Sequence, residues 1–357
     1  VRDISNALVS LGHSVDVISG EPYPELCSDV KLIKLPGMNL FETFSFRDRL
    51  KKFIKSPKSI SNIHEFISTL FGGFPEMRSF GRRADSYLQL NSQYDIIIDN
   101  QSLSFGMLAI QQRLPFIEII HHPITMDLKH DLETNGKILY WLSRKRWYSF
   151  LSMQKKVAPK INNIITVSKS SKRDIVNDFK CNDVNISVVH NGLDTNIFKP
   201  HEDIKRHKYR LITTASADVP LKGLDFTLQA IAELNQNIDI ELTVIGKMKE
   251  GGHTSRLIKK LNLNKVVNFK TNLTKEEISI EYAKSSVAIV SSLYEGFGYP
   301  VIEAMSCATP LIAARTSSIP ELVGDHATLI ESRSSTALSR AIKAVSYTHL
   351  RAHETDS

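Results

Sequence analysis

Cysteine is scarce in this chain and long apolar runs are missing, and each shortage excludes a class of protein. The 357 residues contain three cysteines, Cys27, Cys181 and Cys307, which are scattered and odd in number. They form no disulfide framework and no Cys-x-x-Cys metal motif, so we expect a reducing, cytoplasmic environment. No apolar run approaches the roughly 18 residues that a transmembrane helix requires. The chain starts with Val1 and carries no recognisable secretory peptide.

The usual signature of a dinucleotide-binding enzyme is missing as well. No Gly-x-Gly-x-x-Gly follows any predicted strand, which disfavours a nicotinamide-dependent oxidoreductase. The formal net charge of +7 permits a phosphorylated substrate, an anionic lipid or a nucleic acid as partner, and it does not choose among them. Because charge is the only support for nucleic-acid binding, we expect no nucleic-acid partner.

What the chain does contain is an alternation of short β-rich runs with helical stretches. This alternation is typical of α/β architecture with parallel sheets, and the later strands form a second repeating set. Two Rossmann-like halves with a cleft between them are therefore predicted. The strands are predicted at residues 15–19, 95–99, 116–121, 161–167, 186–189, 211–214, 241–245, 267–270, 287–291 and 311–314.

Residues 291–309 are the most informative stretch for function. An apolar run leads into a glycine-bearing turn at residues 295–298, and Pro300 then opens an apolar-periodic segment. Because proline is favoured at the first helical position, the pattern predicts a strand, a tight loop and a helix N-terminus. Free N–H groups there favour a phosphate, whereas the carboxylates of Glu295 and Glu303 suit hydroxyl groups. Phosphate and several hydroxyls together describe a nucleotide sugar.

The same stretch resembles a known family. Residues 295–303 are similar to the E-x7-E motif of retaining glycosyltransferases of family 4, and the match extends without a gap from Ser292 to Pro310. The resemblance implies the GT-B fold, in which two Rossmann-like domains with parallel sheets face a central cleft. It also implies a hexosyltransferase-type enzyme that needs no metal or other cofactor. Such an enzyme moves a sugar from a UDP-sugar or GDP-sugar to a glycan, glycolipid or small molecule with retention of anomeric configuration.

The resemblance further implies a domain organisation. Residues 191–200 resemble the family's interdomain Asn-Gly-Val-Asp motif and precede a polar run, as expected of a boundary. Residues 1–195 are then the acceptor-side domain, and residues 196–345 are the nucleotide-sugar-binding domain. The family's first strand and glycine-rich loop are expected before Val1, and its closing helices after residue 345. Residues 346–355 fit no helix or strand period and resemble a translated sequencing adapter, so we expect residues 346–357 to be a non-native tail on a fragment.

Within the second domain the resemblance assigns roles to individual residues. Glu303 is expected to hold the ribose diol, and Glu295 to meet the sugar hydroxyls or the oxocarbenium-like centre. Lys222, a lone lysine beside Gly223 at a predicted helix start, is expected to bind the diphosphate and neutralise it as it leaves. The backbone amides that should meet the sugar or the distal phosphate are those of Gly296, Phe297, Gly298 and Tyr299.

One position departs from the family pattern. The family usually places Gly-Arg shortly before this lysine, where the arginine also binds the diphosphate, whereas this chain has Ala215-Ser216. Ser216 can donate one hydrogen bond but carries no charge, and losing a charged contact weakens transition-state stabilisation. Either another basic residue substitutes, with Lys247 after Gly246 as the candidate, or activity is reduced.

Two histidines end a buried strand in the first half, and the carboxyl ends of such strands face the ligand crevice in open α/β sheets. His121 falls where the family keeps a histidine over the donor sugar, with His122 as the competitor and strand capping as the alternative. Asp99 and Asn100 end the preceding strand and either contact the acceptor or form a turn. Ser168 either lines the cleft or caps a helix N-terminus.

Two basic stretches with aromatic residues, 47–58 and 136–160, suit either peripheral contact with an anionic membrane or ordinary helices with a solvated basic face. The second interpretation is favoured. A membrane contact would place the protein at the inner face of the plasma membrane. By family frequency, bacterial cell-envelope polysaccharide or glycolipid synthesis is the expected setting, with a glycan or lipid-linked acceptor.

Two other functions would use the same pocket. A nucleotide-sugar epimerase of the GT-B fold needs acid and base residues that are not recognisable in this chain. A non-catalytic relative that binds nucleotide sugars gains weight from Ala215-Ser216, because the usual arginine is replaced.

Overall fold

The computed structural model describes residues 1–40, 43, 45–134, 138–215 and 218–354, with the backbone alone at 134 and 346–354. Contacts divide the chain into two units. The first consists of Val1–Thr166 and Lys172–Val188, and the second of Val167–Ser171 and the chain from Val189 onward. The short segment 167–171 therefore belongs with the second unit, although the chain on both sides of it belongs with the first.

The first unit contains two parallel sheets. One pairs β1 (Asp16–Ser19) with β2 (Lys31–Lys34), and the other has the order β3 (Ile97–Asn100), β4 (Phe116–Ile120), β5 (Ile164–Thr166), β6 (Ile186–Val188). The apolar side chains of β4 at Phe116 and Ile120 join a core with the helices that cover the sheet. These helices and their neighbours are α1 (Arg2–Ser10), α2 (Phe46–Lys55), α3 (Ile60–Leu70), α4 (Glu76–Leu90), α5 (Phe105–Gln111), α6 (Thr125–Thr134), α7 (Ile138–Trp147), α8 (Leu151–Val157) and α9 (Lys169–Phe179).

The second unit has one six-stranded parallel sheet. Its order is β12 (Thr328–Ile330), β11 (Leu311–Ala314), β10 (Ser285–Val290), β7 (His207–Thr214), β8 (Glu241–Ile245), β9 (Val267–Lys270). Its helices are α10 (Leu224–Leu234), α11 (His253–Lys260), α12 (Lys275–Lys284), α13 (Tyr299–Ser306), α14 (Ile319–Val323) and α15 (Ser335–Glu354).

The central strand β10 shows why this sheet is covered on both faces. Val287 and Ile289 belong to one apolar cluster, and the alternate residues Ala288 and Val290 belong to another. Successive side chains of a strand point to opposite faces, so a strand that is apolar throughout must be covered twice. Helices α10, α11 and α15 supply residues to the first cluster, and α12, α13 and α14 supply residues to the second.

The strand order of this sheet also indicates at which edge of the sheet a ligand is expected to bind. From β7 the chain continues outward through β8 and β9, and it then returns to place β10 on the other side of β7. The loops that leave the carboxyl ends of β7 and β10 therefore diverge to opposite faces of the sheet. A crevice at such a topological switch point is the usual ligand site of open α/β sheets.

The prediction of an α/β fold with parallel sheets is confirmed, and each predicted strand is present with ends shifted by a few residues. Two short strands, β2 and β12, were not predicted. The prediction that residues 346–355 fit no helix period is wrong for 346–354, since α15 extends to Glu354. Once a helix has begun, each added residue gains one backbone hydrogen bond, so weak periodicity does not end it.

Candidate active site

Gly223 allows the loop after β7 to approach the end of β10. Its φ of 62° lies in the left-handed region, and a Cβ added there would lie 2.0 Å from the carbonyl oxygen of Ser291. The Ser291 hydroxyl donates to the carbonyl oxygen of Gly223 at 2.9 Å, and the amide of Leu293 donates to the carbonyl of Leu221 at 2.7 Å. Only glycine permits so close an approach with this backbone conformation. The contact brings the neighbouring Lys222 to the loop that follows β10.

Lys222 and Glu295 form an ion pair at this point. Lys222 Nζ lies 2.8 Å from Glu295 Oε1, and Ser292 Oγ donates to the same oxygen at 2.7 Å. The Glu295 side chain is 10% exposed and the Lys222 side chain is 30% exposed. A carboxylate removed this far from water requires such partners. The ammonium, in contrast, keeps an exposed side from which it can bind a second anion.

Helix α13 begins directly after the loop. Gly298 has a φ of 113°, and Pro300 lies in the first turn of the helix. The predicted succession of strand, loop and helix N-terminus in residues 291–309 is therefore confirmed. The first amides of the helix give this edge of the sheet a positive potential, which favours an anionic group.

Glu303 is held by a residue that the sequence pattern did not reveal. Its Oε2 accepts a hydrogen bond from the Tyr282 hydroxyl at 3.1 Å, and that hydroxyl also lies 2.9 Å from Thr214 Oγ1. Burial raises the pKa of Glu303, and the hydrogen bond from Tyr282 opposes that rise. Tyr282 lies in α12 and Thr214 ends β7, so only the folded chain brings them to Glu303. No sequence signal marks either residue.

Of the three residues predicted near the diphosphate, the structure describes Gly246 and Lys247. Gly246 and Lys247 follow the carboxyl end of β8, where Lys247 is exposed. The carboxyl end of β8 lies beside that of β7, as a substitute cation would require. Ser216 lies outside the described residues, whereas its neighbour Ala215 is buried in the apolar core. The expectation that Lys247 replaces the missing arginine stays a prediction.

Ser168 is fully buried and contacts the loop after β10. Its Oγ donates to the carbonyl oxygen of Gly296 at 2.6 Å and accepts the amide N–H of Ser171 at 3.0 Å. The second contact is that of a helix N-cap. The structure therefore contains the helix cap that was one alternative for Ser168, and the other alternative, that Ser168 lines the cleft, stays a prediction.

The histidine pair at the end of β4 is fixed by the loop that follows β3. Asn100 Oδ1 lies 2.8 Å from His121 Nε2, and an Nε2 that carries the proton can donate to this oxygen. Gln101 accepts the amide N–H of His121 at 2.7 Å and donates to the carbonyl oxygen of His122 at 2.8 Å. Burial lowers the pKa of His121, and the charge of His122 lowers it further. His122 Nε2 lies 2.9 Å from Asp127 Oδ2.

Asp99 forms a turn, and its contact with the acceptor stays a prediction. It is 8% exposed, and its Oδ2 accepts from both the amide and the hydroxyl of Ser102. Glu118, the residue opposite Asp99 in the sheet, is fully buried. Burial raises the pKa of Glu118 well above its usual range, and the nearby Asp99 carboxylate raises it further. Asp99 Oδ2 also accepts from the amide of Leu103 at 3.4 Å, so the turn that carries Asn100 and Gln101 is fixed by this carboxylate.

The basic stretch 47–58 coincides largely with α2, and three of that helix's apolar side chains face solvent. Phe46, Leu50 and Ile54 are exposed at a spacing that places them on one face of the helix. In the stretch 136–160, Lys145 Nζ lies 3.8 Å from the centre of the Trp141 ring, and both residues are exposed. Within the described residues, no helix is long and apolar enough to cross a bilayer, and no three acidic, histidine or cysteine side chains are placed to hold a metal ion.

Two family models match the chain. The model described as Glycosyltransferase Family 4 covers residues 1–197, and the model described as Glycosyl transferases group 1 covers residues 197–350. An MMP α-(1→4)-mannosyltransferase from Mycolicibacterium hassiacum is 39% identical over 330 residues, which cover 91% of this chain and 78% of that protein.

Solved structures show the same fold. Sucrose-phosphate synthase from Thermosynechococcus elongatus has a TM-score of 0.69 at 17% identity, over 96% of this chain and 82% of that one. The HepE protein of Anabaena in complex with UDP and glucose has a TM-score of 0.58 at 18% identity, over 75% of this chain and 73% of that one. At these identities the likeness concerns the fold alone, and it confirms the expected GT-B class.

Proposed function

The chain belongs to glycosyltransferase family 4, and on that premise we propose that it moves a hexose from a UDP- or GDP-sugar to a glycan or lipid-linked acceptor with retention of anomeric configuration. Family membership makes it a hexosyltransferase-type enzyme with a nucleotide-sugar donor. The observation that carries the finer proposal is the ion pair of Lys222 and Glu295 beside the N-terminus of α13.

The donor's anionic and hydroxyl-bearing parts have separate partners in this arrangement. Lys222 and the first amides of α13 supply positive charge for the diphosphate, which gains negative charge as the glycosidic bond breaks. Glu303 presents a carboxylate whose Oε2 is oriented by Tyr282, and it accepts the two ribose hydroxyls. Glu295, held by Ser292, accepts the sugar hydroxyls or stabilises the oxocarbenium-like centre.

Retention is supported by the name of the relative that is 39% identical, an α-(1→4)-mannosyltransferase. An α-linked product made from an α-linked nucleotide sugar keeps the configuration of the anomeric carbon. His121, whose ring is fixed by Asn100, is proposed to act at the donor sugar, with the imidazole kept neutral by its burial. The proposed acceptor class is supported by the name of the same relative, because a (1→4) linkage joins the transferred sugar to a sugar hydroxyl.

The direct test is transfer itself. The protein is incubated with GDP-mannose or UDP-glucose, with and without a short α-mannoside, while nucleoside diphosphate release and the anomeric proton of the product are followed by NMR. Release that depends on acceptor, with an α-linked product, supports the proposal. Conversion of donor without acceptor would indicate an epimerase, and nucleotide binding without any release would indicate a non-catalytic relative.

Nucleotide binding should depend on Glu303. Thermal shifts with UDP, GDP and ADP should show stabilisation by one nucleotide, and Glu303→Ala should weaken its binding by about 10- to 100-fold. A hydrogen bond to a charged group contributes about 1.5–3 kcal/mol, which corresponds to that range. At a ligand concentration of about 100 times the wild-type Kd, the wild-type gain of about 2.7 kcal/mol would fall to between about 1.4 and about 0.4 kcal/mol in the variant.

A matched control keeps the Glu303 test specific. Glu233 lies near the end of α10, at the amino edge of the sheet, and is exposed. Glu233→Ala removes one helical carboxylate without changing the edge of the sheet that is formed by the carboxyl ends of the strands. It should therefore leave the thermal shift caused by the nucleotide unchanged. Equal shifts in wild type and Glu303→Ala would remove Glu303 from the donor site.

Peripheral membrane contact is proposed for the α2 face that carries Phe46, Leu50 and Ile54. Lys51, Lys52 and Lys55 lie on the same short helix, and exposed apolar residues among lysines suit an anionic bilayer surface. Such contact would hold the enzyme at the inner face of the plasma membrane, beside a lipid-linked acceptor.

Vesicle flotation tests this contact. The protein should float with vesicles that contain anionic lipid and remain unbound with neutral vesicles. Phe46→Ala combined with Ile54→Ala should abolish flotation, whereas Val184→Ala, which changes an exposed apolar residue elsewhere, should not. Flotation that is equal with both vesicle types, or unaffected by the α2 changes, would contradict the proposal.

A further inference from the structure

We propose that three buried serines, Ser168, Ser171 and Ser318, are positioning residues that direct the amides of the 295–298 loop toward the distal phosphate and sugar of the donor. The inference rests on the proposed function, because it assumes that this loop meets a nucleotide sugar. All three side chains are fully buried, with 0% of their surface exposed. They come from two separate parts of the chain, the segment 167–171 and the residue before α14.

Each carbonyl group of the loop's first three residues accepts from at least one of these hydroxyls. The carbonyl oxygen of Gly296 accepts hydrogen bonds from Ser168 Oγ at 2.6 Å and from Ser171 Oγ at 3.0 Å. These two bonds use both lone pairs of the oxygen. Ser318 Oγ lies 2.9 Å from the carbonyl oxygen of Glu295 and 2.5 Å from that of Phe297. One hydroxyl proton is therefore shared between the carbonyl groups on either side of Gly296.

Fixing these carbonyl groups also fixes the amides. In a trans peptide the C=O and the following N–H point in opposite directions across one rigid plane. The serine contacts thus point the N–H groups of Gly296, Phe297 and Gly298 away from the serines. A loop with three oriented amides stabilises developing negative charge without reorganising during the reaction.

The segment that supplies Ser168 and Ser171 is itself anchored. The amide N–H groups of Lys169 and Ser170 donate to the two carboxylate oxygens of Glu321 at 2.9 and 3.1 Å. His190 Nε2 lies 3.2 Å from the same carboxylate. Helix α14 begins directly after Ser318 and contains Glu321. The same helix therefore carries one hydroxyl donor, Ser318, and anchors the segment that supplies the other two.

The test compares binding of nucleoside diphosphates and monophosphates, because only the diphosphates present the distal phosphate. Calorimetry with GDP, GMP, UDP and UMP gives the ratio of the two Kd values for the base that binds. In the variant Ser168→Ala/Ser171→Ala this ratio should fall by roughly tenfold, as expected when two hydrogen bonds that orient the amides are lost. Binding of the monophosphate should stay unchanged, since Glu303 is intact. In the transfer assay, kcat should fall while the KM for acceptor is unchanged.

Ser285→Ala is the matched control, because Ser285 is also a fully buried serine that donates to a carbonyl oxygen, that of Glu281 at 2.8 Å. It should lower the melting temperature without changing the ratio of Kd values. A double variant whose ratio equals the wild-type ratio would overturn the inference and leave the proposed function standing. A wild-type protein that binds none of the four nucleotides would overturn the proposed donor site and the inference with it.

Discussion

Replacing Lys222 with alanine should lower kcat by about 10²- to 10³-fold, which is the usual effect of removing one preorganised group that stabilises developing negative charge. The leaving diphosphate gains charge only as the glycosidic bond breaks, so the ammonium contributes more in the transition state than in the ground state. The KM for donor should therefore change much less than kcat. Steady-state kinetics with the donor identified by the transfer assay measures both values.

The ion pair with Glu295 complicates this variant in a way that can be measured. Without Lys222 the Glu295 carboxylate, whose side chain is 10% exposed, keeps the Ser292 hydroxyl but loses its cation. The free energy of unfolding should therefore fall by about 1–3 kcal/mol, and the partial exposure of the lysine keeps this loss below that of a fully buried pair. Adding Glu295→Gln should recover most of that stability and none of the activity. Recovery of activity in the double variant would contradict the roles assigned to both Lys222 and Glu295.

Lys284 offers a matched control for Lys222. Its side chain is 36% exposed, and its Nζ lies 3.3 Å from Glu281, so it is a lysine of similar exposure with a glutamate partner. It ends α12 directly before β10 begins, which places it at the amino edge of the sheet, opposite the loops of the site. Lys284→Ala should keep wild-type kcat. A comparable loss of kcat in both variants would contradict the assigned role of Lys222.

The sequence predicted those parts of the site that depend on local order along the chain. Pro300 after the glycine-bearing turn predicted the start of α13, and the lone Lys222 beside Gly223 was predicted to precede a helix; both features are present in the fold. These patterns are readable because a loop followed by a helix obeys short-range rules of backbone geometry. The parallel α/β class was readable for the same reason, from the alternation of short apolar runs and helices.

The remaining features depend on residues that are distant in sequence. Tyr282 reaches Glu303 from another helix, and Asn100 reaches His121 from the neighbouring strand end. The ion pair of Lys222 and Glu295 also requires that β7 and β10 be neighbours, although β8 and β9 lie between them in the chain. Which strands become neighbours is decided by tertiary packing, so no periodicity in the sequence reveals such pairs.

Gly223 carries the second large prediction, since it permits the close approach that brings Lys222 to the loop after β10. Gly223→Ala should destabilise the protein by more than about 4 kcal/mol, an effect reserved for severe strain or clashes. The added Cβ would lie 2.0 Å from the Ser291 carbonyl oxygen, and the clash is with backbone rather than with a flexible side chain. For a unit of this size, a loss of 4 kcal/mol lowers the melting temperature by about 8–16 °C. Nucleotide binding should fall as well, because relieving the clash separates the two loops.

Gly251→Ala separates the two causes of this effect. Gly251 has a φ of 65°, close to the 62° of Gly223, but a Cβ added there would have no heavy atom within 4 Å. This variant should show only the cost of placing alanine in the left-handed region, about 1–2 kcal/mol. The difference between the two variants then measures the contact between Gly223 and Ser291. If both variants melted at the same temperature, the close approach of the two loops would not be what requires glycine at position 223.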